Sequence, residues 1–360
     1  MPIRVELGPR SYHIHIGPGL LRRAGELISS ALTPRRLFLI THPVVDRLHG
    51  EALREGLGGW QMATLPVPAG ERQKSLRRAA GLWDELLALG ADRSSAIIAF
   101  GGGVIGDLAG FVAATYMRGI AYVQVPTTLL AQVDSSVGGK VAVDHPRAKN
   151  LIGAFYQPQL VIADCDIVRT LPFRDYRAGL AEVVKHGVIA DAELFGWLES
   201  NVGAVRARDP AAIAHMVGRS CEIKAAVVAR DERESGPRAI LNFGHTVGHA
   251  LESLTGYRAL RHGEAVAIGM VAAARLACGL GRFSSGEADR IERLLSSLRL
   301  PVRIPGLAAG AIVSAMAADK KAIAGAPRFV LPIAIGRVEM ACEVAPLAVR
   351  ETLVAAGAAA

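Results

Sequence analysis

Short apolar runs alternate with amphipathic helical patterns through the first half of the chain. The runs are Arg36–Thr41, Met62–Val67, Ser95–Phe100 and Ala121–Val125. A helical pattern, Leu76–Leu89, lies between two of them. Because parallel strands need a crossover connection, this order favours a parallel sheet with helices on both faces. A hairpin is predicted ahead of it, with strands Arg4–Leu7 and Tyr12–Ile16 on either side of a Gly8-Pro9 turn.

The second half, from about Arg174, changes to long helical segments. They are Tyr176–Ile189, Ala192–Asn201, Pro210–Glu232, His245–Leu254, Gly263–Leu280 and Ser285–Leu298. A chain of 360 residues exceeds the usual ~100–200 of one domain, so we expect an α/β domain over 1–158 and an all-helical domain over 159–360. The segment 137–158, rich in Gly, Pro, Lys and Asn, is predicted to be a functional loop. The cleft between the two halves is the expected site.

The composition excludes several classes of protein. Hydrophobic residues make up 51% and charged residues 21%, which excludes a disordered or fibrous chain. No apolar run reaches the ~18 residues of a membrane span, and the first residues lack a signal-peptide pattern. The four cysteines are far apart and form no Cys-x-x-Cys motif, which fits a reducing compartment. We therefore expect a soluble, cytoplasmic protein.

The proportion of lysine to arginine is more informative than the net charge of +8. That charge fits anionic substrates or nucleic acid, but aromatic residues are only 5%, which disfavours nucleic acid. Of the 41 basic residues, seven are lysines and the others are arginines. A retained lysine is therefore a candidate for a task that needs a compact ammonium or a tunable pKa. The seven are Lys74, Lys140, Lys149, Lys185, Lys224, Lys320 and Lys321.

A glycine-rich turn, Gly101–Asp107, follows the run Ser95–Phe100 and precedes the helical pattern Leu108–Met117. Glycines in such a turn let backbone amides approach a pyrophosphate, and a helix N-terminus favours negative charge. The turn therefore favours a dinucleotide site. It is not the Gly-x-Gly-x-x-Gly fingerprint, so close packing of the turn is the alternative interpretation.

Two nearby stretches combine hydroxyls, a carboxylate and cations. Val125–Thr128 ends the next strand with two hydroxyls, and Asp134–Lys140 places a carboxylate, two more hydroxyls and a lysine around a Gly-Gly turn. Lys149 and Asn150 add another cation and an amide. These groups suit a polyhydroxylated, anionic small molecule, and a satisfied turn network is the alternative.

Polar residues also share helical faces in the second half. Glu182 and Lys185 are three apart, hence on one face. A second stripe consists of Arg238, Asn242, His245 and His249. Because burying polar groups in an apolar domain costs free energy, the stripe indicates a function.

Histidines together with a carboxylate favour a catalytic zinc site. Such sites use three protein ligands and keep one coordination position open for water or substrate. His262 follows thirteen residues after His249 and adds another imidazole. Spacing alone leaves the ligands open among Glu182, His186, His245, His249 and His262.

Six segments, in order over nearly the whole chain, resemble the 3-dehydroquinate synthase family of sugar phosphate cyclases. They are Gly101–Asp107, Val125–Lys140, Lys149–Pro158, Ala181–Gly187, Asn242–His249 and His262–Met270. The resemblance implies an N-terminal Rossmann-like NAD-binding domain, a C-terminal helical metal-binding domain and a cytoplasmic homodimer. It also implies conversion of 3-deoxy-D-arabino-heptulosonate 7-phosphate to 3-dehydroquinate and phosphate, the second step of the shikimate route to chorismate and the aromatic amino acids.

The resemblance further implies the order of chemical steps. In such enzymes NAD oxidises the C5 hydroxyl, phosphate leaves by β-elimination, the ketone is reduced again, and the opened ring closes by an intramolecular aldol reaction. A divalent metal, usually zinc with cobalt as a substitute, holds the C4 and C5 oxygens.

The family's site residues can be placed on this sequence one at a time. Glu182, His245 and His262 match the metal ligands, with His249 on the substrate side. The residues around the substrate's carboxylate, hydroxyls and phosphate match Asp134, Lys140, Asn150, Lys185, Lys224, Arg238, Asn242 and Lys320. Arg118 and Lys149 match groups at the phosphate, from the partner subunit. The NAD contacts match Glu71, Lys74, Gly102, Gly103, Asp107, Thr127 and Thr128.

The chain departs from the family at two places. After Arg36–Thr41 it reads His42-Pro43-Val44, where relatives often carry Asp-x-Asn near the adenosine ribose. A carboxylate that would accept from the ribose hydroxyls is absent there, so the resemblance does not fix the preference for NAD over NADP. His186 stands where relatives often carry Tyr.

Two related activities are the alternatives. A cyclase acting on sedoheptulose 7-phosphate would take a substrate without a carboxylate, which Lys140, Arg238, Asn242 and Lys320 disfavour. A metal-dependent polyol dehydrogenase would not need so many cations for a phosphate. Scattered rather than clustered arginines would exclude nucleic-acid binding.

Overall fold

The structure is a computed structural model that describes residues 2–317 and 327–360. Its strands are β1 Pro2–Val5, β2 Tyr12–Gly17, β3 Arg36–Thr41, β4 Met62–Pro66, β5 Ser95–Gly101, β6 Ala121–Pro126, β7 Lys140–His145, β8 Ala148–Phe155, β9 Leu160–Asp164, β10 Phe329–Ala334 and β11 Arg337–Cys342. Its helices are α1 Ala24–Ala31, α2 Pro43–Leu57, α3 Leu76–Ala88, α4 Gly103–Thr115, α5 Phe173–Ala190, α6 Ala192–Ser200, α7 Val202–Ala207, α8 Pro210–Arg230, α9 His245–Leu254, α10 His262–Gly279, α11 Ser285–Ser297, α12 Ala309–Ala317 and α13 Pro346–Ala355.

The chain divides into two compact units. The first, here called the sheet unit, contains the residues up to Leu171 together with Ile213–Glu232. The second, the helical unit, contains Pro172–Ala212 and the residues from Arg233 onward. The predicted boundary at residue 158 precedes the observed one because β9 follows it and belongs to the sheet.

The predicted parallel sheet is confirmed. Among the described residues, seven strands form one sheet in the order β1-β2-β9-β6-β5-β3-β4. All neighbours pair in parallel except β1 and β2, which form the predicted antiparallel hairpin. The strand β9, inserted between β2 and β6, is absent from the sequence-based prediction.

The central strand β5 is buried along its whole length and separates two apolar cores. Ile97 and Ala99 belong to a cluster with residues of α3 and α4, whereas Ile98 and Phe100 belong to a cluster with residues of α1 and α2. Successive side chains of a strand point to opposite faces, so an apolar run without alternation is what a sheet covered on both faces requires. The sheet therefore fixes the end of β5, and with it the glycine-rich turn, between two packed layers.

The predicted functional loop at 137–158 is largely an antiparallel hairpin of β7 and β8. Val141 and Val143 are buried against the sheet unit's core, and Ala142 between them is half-buried. This alternation of buried and half-buried side chains spans only a few residues, and Gly, Pro and Lys surround it. The segment therefore resembles a loop in sequence. The hairpin holds Asn150 in the left-handed region, with φ of 54°.

The helical unit contains the predicted helices, with ends that shift by a few residues. It also contains the antiparallel pair β10–β11, so it is not all-helical as predicted. Most of the predicted helix Pro210–Glu232 belongs instead to the sheet unit. Within the described ranges, no helix combines the length and hydropathy that a membrane span needs.

Candidate active site

Three side chains that were candidate metal ligands converge in the helical unit. Glu182 lies buried in α5, and His245 and His262 are the first residues of α9 and α10. Nε2 of His245 lies 3.7 Å from Oε1 of Glu182, and Nε2 of His262 lies 3.6 Å from the same oxygen. One ligand atom from each residue lies within 4.8 Å of the others. A carboxylate and two imidazoles at this separation fit one divalent cation with an open coordination position.

Two glycines allow the three helices to approach so closely. A Cβ at Gly263 would lie 1.8 Å from the carbonyl oxygen of Ala178, so any larger residue would push α10 away from α5. Gly244, just before α9, has φ of 78°, and a Cβ there would lie 2.8 Å from the carbonyl oxygen of Val266. Each histidine ligand therefore has a glycine beside it in sequence because backbones meet at that point.

A hydrogen bond at Nδ1 orients each of the two imidazoles. Nδ1 of His245 lies 3.1 Å from the carbonyl oxygen of Phe243, and Nδ1 of His262 lies 3.1 Å from Oε2 of Glu252. An Nδ1–H that donates to these oxygens leaves Nε2 of each ring directed at the cluster. This is the arrangement that metal-binding histidines usually have.

The two imidazoles have opposite pKa shifts. Burial lowers the pKa of His245 well below its usual value, so this ring is neutral at pH 7. Burial also acts to lower the pKa of His262, but its hydrogen bonds to Glu182 and Glu252 and their negative charges raise that pKa to about 10. A cation that binds Nε2 of His262 at neutral pH must therefore displace a proton.

Other residues singled out in the sequence surround this cluster. Nζ of Lys185, a side chain that is 1% exposed, contacts Oε2 of Glu182. The ring of His249 lies edge-on to that of His245, with centroids 5.3 Å apart. The predicted stripe is therefore only partly correct, because His245 and His249 share a face of α9 whereas Arg238 and Asn242 lie in a separate 3-10 helix before it.

The segment before α9 contributes two more of the predicted polar residues. Arg238 is fully buried in the short 3-10 helix Pro237–Asn242. Nδ2 of Asn242 donates to Oε1 of Glu234 at 2.8 Å. Glu234 itself has φ of 57°, an uncommon conformation for a residue other than glycine.

The glycine-rich turn of the sheet unit packs closely against neighbouring side chains at the start of α4. A Cβ at Gly102 would lie 3.0 Å from Cγ2 of Thr128, and one at Gly103 would lie 3.2 Å from Oγ of Ser135. The backbone N–H of Thr127 donates to the carbonyl oxygen of Gly101 at 2.9 Å, which joins the end of β6 to the turn. A larger residue would be crowded at either glycine, and both glycines are half-buried, so part of the backbone at this helix N-terminus stays exposed, which suits a pyrophosphate.

One hydrogen bond and one ion pair connect the residues predicted near NAD to the β7–β8 hairpin. Nζ of Lys74 contacts Oδ2 of Asp107 in α4 and Oδ1 of Asn150 in β8. Burial acts to lower the pKa of Lys74, but the charge and hydrogen bond of Asp107 raise it overall, so Lys74 is charged. Nζ of Lys149 lies 3.3 Å from Oε1 of Glu71. Asn150, predicted near the substrate, therefore lies beside predicted NAD contacts.

A further pair lies where α8 packs in the sheet unit. Lys224 contacts the carboxylate of Asp134 and donates to its carbonyl oxygen at 2.6 Å. Asp134 lies in the π-helical turn Ala131–Ser135, a feature that often marks functional sites. Oγ1 of Thr128 accepts from the N–H of Ala131 at 3.1 Å and anchors that turn.

The last three predicted site residues are Lys140, Arg118 and Lys320. Lys140 begins β7 and is exposed. Arg118, also exposed, follows α4 with φ of 66°. Lys320 falls within 318–326, outside the described residues.

Three acidic residues that contact predicted site residues were not predicted from the sequence. They are Asp144, Glu234 and Glu252, which contact Asn150, Asn242 and His262 respectively. Glu252 had a signal, because it continues the stripe of His245 and His249 by three residues. Asp144 had none, since its contact with Asn150 depends on the register of the hairpin.

Comparisons with known proteins identify the family of this chain. Family models described as 3-dehydroquinate synthase N-terminal and 3-dehydroquinate synthase C-terminal match residues 64–178 and 179–322. This chain belongs to the 3-dehydroquinate synthase family. A 3-dehydroquinate synthase of Pelotomaculum thermopropionicum is 54% identical over 338 residues, which cover 93% of this chain and 91% of that protein.

Two solved structures outside the 3-dehydroquinate synthases are similar over nearly the whole chain. One is 2-epi-5-epi-valiolone synthase from Streptomyces hygroscopicus with NAD+ and Zn2+ bound, which is 30% identical with a TM-score of 0.88 and 97% of both chains covered. The other is 2-deoxy-scyllo-inosose synthase complexed with carbaglucose-6-phosphate, NAD+ and Co2+, which is 27% identical with a TM-score of 0.90. That likeness covers 98% of this chain and 99% of the other.

Proposed function

We propose that this protein is a 3-dehydroquinate synthase, a phosphate-eliminating cyclase that converts 3-deoxy-D-arabino-heptulosonate 7-phosphate to 3-dehydroquinate and phosphate. The observation that carries the proposal is the convergence of Glu182, His245 and His262 in a chain that is 54% identical to a 3-dehydroquinate synthase. The product places the enzyme in the shikimate route to chorismate and the aromatic amino acids.

Zinc or cobalt and NAD are the proposed cofactors. The buried carboxylate of Glu182 and the two oriented imidazoles are donors that fit Zn2+ or Co2+. When bound, the cation would polarise a substrate hydroxyl, and NAD would take up and later return the hydride of the carbon that bears this hydroxyl. The residues proposed to hold NAD are Glu71, Lys74, Gly102, Gly103, Asp107, Thr127 and Thr128.

The remaining polar residues are proposed to bind and orient the substrate. They are Asp134, Lys140, Asn150, Lys185, Lys224, Arg238, Asn242, His249 and Lys320. Arg238 presents a planar fork that suits a carboxylate. The buried ammonium of Lys185 beside Glu182 suits a substrate oxygen, because it is compact and donates in several directions. The substrate's own phosphate remains a candidate base for the elimination, so no side chain is assigned to that step.

We further propose that the protein acts as a cytoplasmic homodimer in which Arg118 and Lys149 reach the phosphate of the partner's substrate. All four cysteines are free thiols, which supports a reducing compartment. Activity of mixed dimers, formed from an Arg118→Ala chain and a His245→Ala chain, tests the shared site. Partial recovery of activity on mixing two inactive variants is the expected result.

Phosphate release from 3-deoxy-D-arabino-heptulosonate 7-phosphate, measured with and without NAD, tests the function directly. We expect release to require NAD, to produce 3-dehydroquinate, and to leave no net NADH because the hydride returns. The same assay with sedoheptulose 7-phosphate separates the alternative cyclase. Equal rates on both substrates would contradict the proposal, and NADH accumulating with turnover would indicate a dehydrogenase instead.

A further inference from the structure

We propose that Glu252 is a positioning residue that fixes the ring of His262 for metal binding. Oε2 of Glu252 lies 3.1 Å from Nδ1 of His262, and Nε2 of the same ring lies 3.6 Å from Oε1 of Glu182. One ring therefore bridges two carboxylates, with Glu252 on the side away from the cluster. The inference rests on the metal site of the proposed function and assigns a role to a residue outside the ligand set.

The two histidine ligands differ in how they are held. The ring of His245 is 10% exposed, and its Nδ1 bonds to the backbone oxygen of Phe243. The ring of His262 is 30% exposed, and its Nδ1 bonds to a side chain. Packing restricts the more exposed ring less, so its orientation depends more on the hydrogen bond to Glu252. The carboxylate of Glu252 is itself only 10% exposed, so surrounding atoms hold it in place.

The position of Glu252 on α9 links both ligands to one helix. Glu252 follows His245 by seven residues, which is two turns, so both point from the same face of α9. The chain then turns at Tyr257, whose backbone N–H donates to the carbonyl oxygen of Glu252 at 2.8 Å, before α10 begins at His262. α9 thus supplies one ligand directly and orients the other through Glu252.

The test is the affinity of the intact protein for Zn2+, measured by competition with a chelator in Glu252→Gln and Glu252→Ala. Loss of a carboxylate behind a ligating histidine typically weakens metal binding by about 10- to 100-fold. We expect Glu252→Ala to reach that range. Glu252→Gln should weaken binding less, because its amide oxygen can still accept from Nδ1–H. Excess Zn2+ should restore most of the activity that either variant loses.

Glu264→Gln is the matched control. Glu264 lies two residues after His262, where Oε2 accepts from the N–H of Arg261 at 2.8 Å and the carboxylate pairs with Arg174. Glutamine preserves this cap, so zinc affinity should stay within about twofold of wild type. The absorption spectrum of the Co2+-loaded protein supplies a second measurement, and it should change in both Glu252 variants and stay the same in the control.

Zinc affinity within about twofold of wild type in both Glu252 variants would overturn the proposal. So would equal losses in the Glu252 and Glu264 variants, because they would indicate general disturbance of α10. Melting temperatures identify variants that fail to fold, and Glu252→Gln, nearly the same size as the wild-type residue, then decides the result. A wild-type protein that binds Zn2+ but releases no phosphate would contradict the proposed function and leave this inference testable. A wild type that binds no Zn2+ would overturn both.

Discussion

In the helical unit, Glu182, His245 and His262 point at one another from three tightly packed helices, and their ligand atoms lie within 4.8 Å. In the sheet unit, the lysines of the candidate site instead contact carboxylates from other elements, as in Lys74 with Asp107 and Lys224 with Asp134. The first arrangement gathers ligand atoms that all favour a bound cation. The second neutralises each cation internally.

This difference indicates how each region responds to a ligand. Close backbone contacts at Gly244 and Gly263 bring the elements that carry the candidate metal ligands together before a cation binds. The lysines of the sheet unit must share or exchange their carboxylate partners when an anion binds. Substitution of a candidate metal ligand should therefore abolish function, whereas substitution of a sheet-unit lysine or its carboxylate partner should change affinity by degrees.

The largest effect is expected from His245→Ala. Removal of one of three protein ligands should lower bound zinc to a small fraction of one per subunit and slow phosphate release by roughly a thousandfold or more, since a Lewis acid contributes several kcal/mol to such steps. Metal analysis and the phosphate assay measure the two effects. His13→Ala, at an exposed position of β2, is the control and should leave both unchanged. Full turnover by metal-stripped His245→Ala would refute the metal assignment.

Lys185→Arg should have the next largest effect. The side chain is 1% exposed against Glu182, and a forked guanidinium cannot occupy the volume of an ammonium, although the charge is kept. Displacement of about 1 Å at such a site can cost roughly a hundredfold in kcat. The opposite exchange on the same helix, Arg177→Lys, serves as control because Nε of Arg177 donates to the backbone oxygen of Phe173 rather than to a candidate metal ligand. A near-normal rate with an unchanged melting temperature would count against a role for Lys185.

Gly102→Ala should weaken NAD binding by about tenfold, which corresponds to ~1.4 kcal/mol. The added Cβ would lie 3.0 Å from Cγ2 of Thr128 and would fill the space beside the turn. Titration of NAD measures the dissociation constant, and the zinc content should not change. Gly81→Ala in α3, where a Cβ meets nothing within 4 Å, should leave NAD affinity unchanged and stabilise the helix slightly. Unaltered NAD affinity in Gly102→Ala would place the pyrophosphate elsewhere.

The smallest effect is expected from Glu71→Gln. Glu71 and Lys149 are 43% and 30% exposed, and exposed pairs contribute at most ~1 kcal/mol and weaken with salt. NAD affinity should change by less than about threefold, and the melting temperature should barely change. Asp107→Asn, which removes the partner of the buried Lys74, should lower the melting temperature more. A larger fall in melting temperature in Glu71→Gln than in Asp107→Asn would contradict the distinction between exposed and buried pairs.

The sequence predicted features that depend on one element better than those that depend on two. The positions of His245 and His249 on one face follow from helical periodicity alone. His262 and Glu182 lie beside them because of helix packing, which periodicity does not predict. Spacing alone left five candidate metal ligands, and the family resemblance reduced them to three. Glu252 lies on the same stripe but was missed, because its partner is ten residues away on another helix.

The sheet unit shows the same limit. β3, β5 and β6 are buried runs with strong β-propensity, and the sequence predicted them closely. β9 is five residues long and buried like them, so burial does not explain why it was not predicted. The contacts of Lys74 with Asn150 and of Lys224 with Asp134 depend on hairpin register and on the return of α8, which no local pattern contains.

The return of residues 213–232 to the sheet unit affects how the protein can be divided. Residues 213–232 complete the sheet unit after the chain has already entered the helical unit, and Cys221, Lys224 and Glu232 contact Gln132, Asp134 and Gln157 there. A protein truncated at Leu171 would lack these partners and expose the surface they cover. Neither unit is one continuous stretch of the gene, so a chimera with a related enzyme has to exchange two separate pieces at once, and a single crossover would leave both halves incomplete.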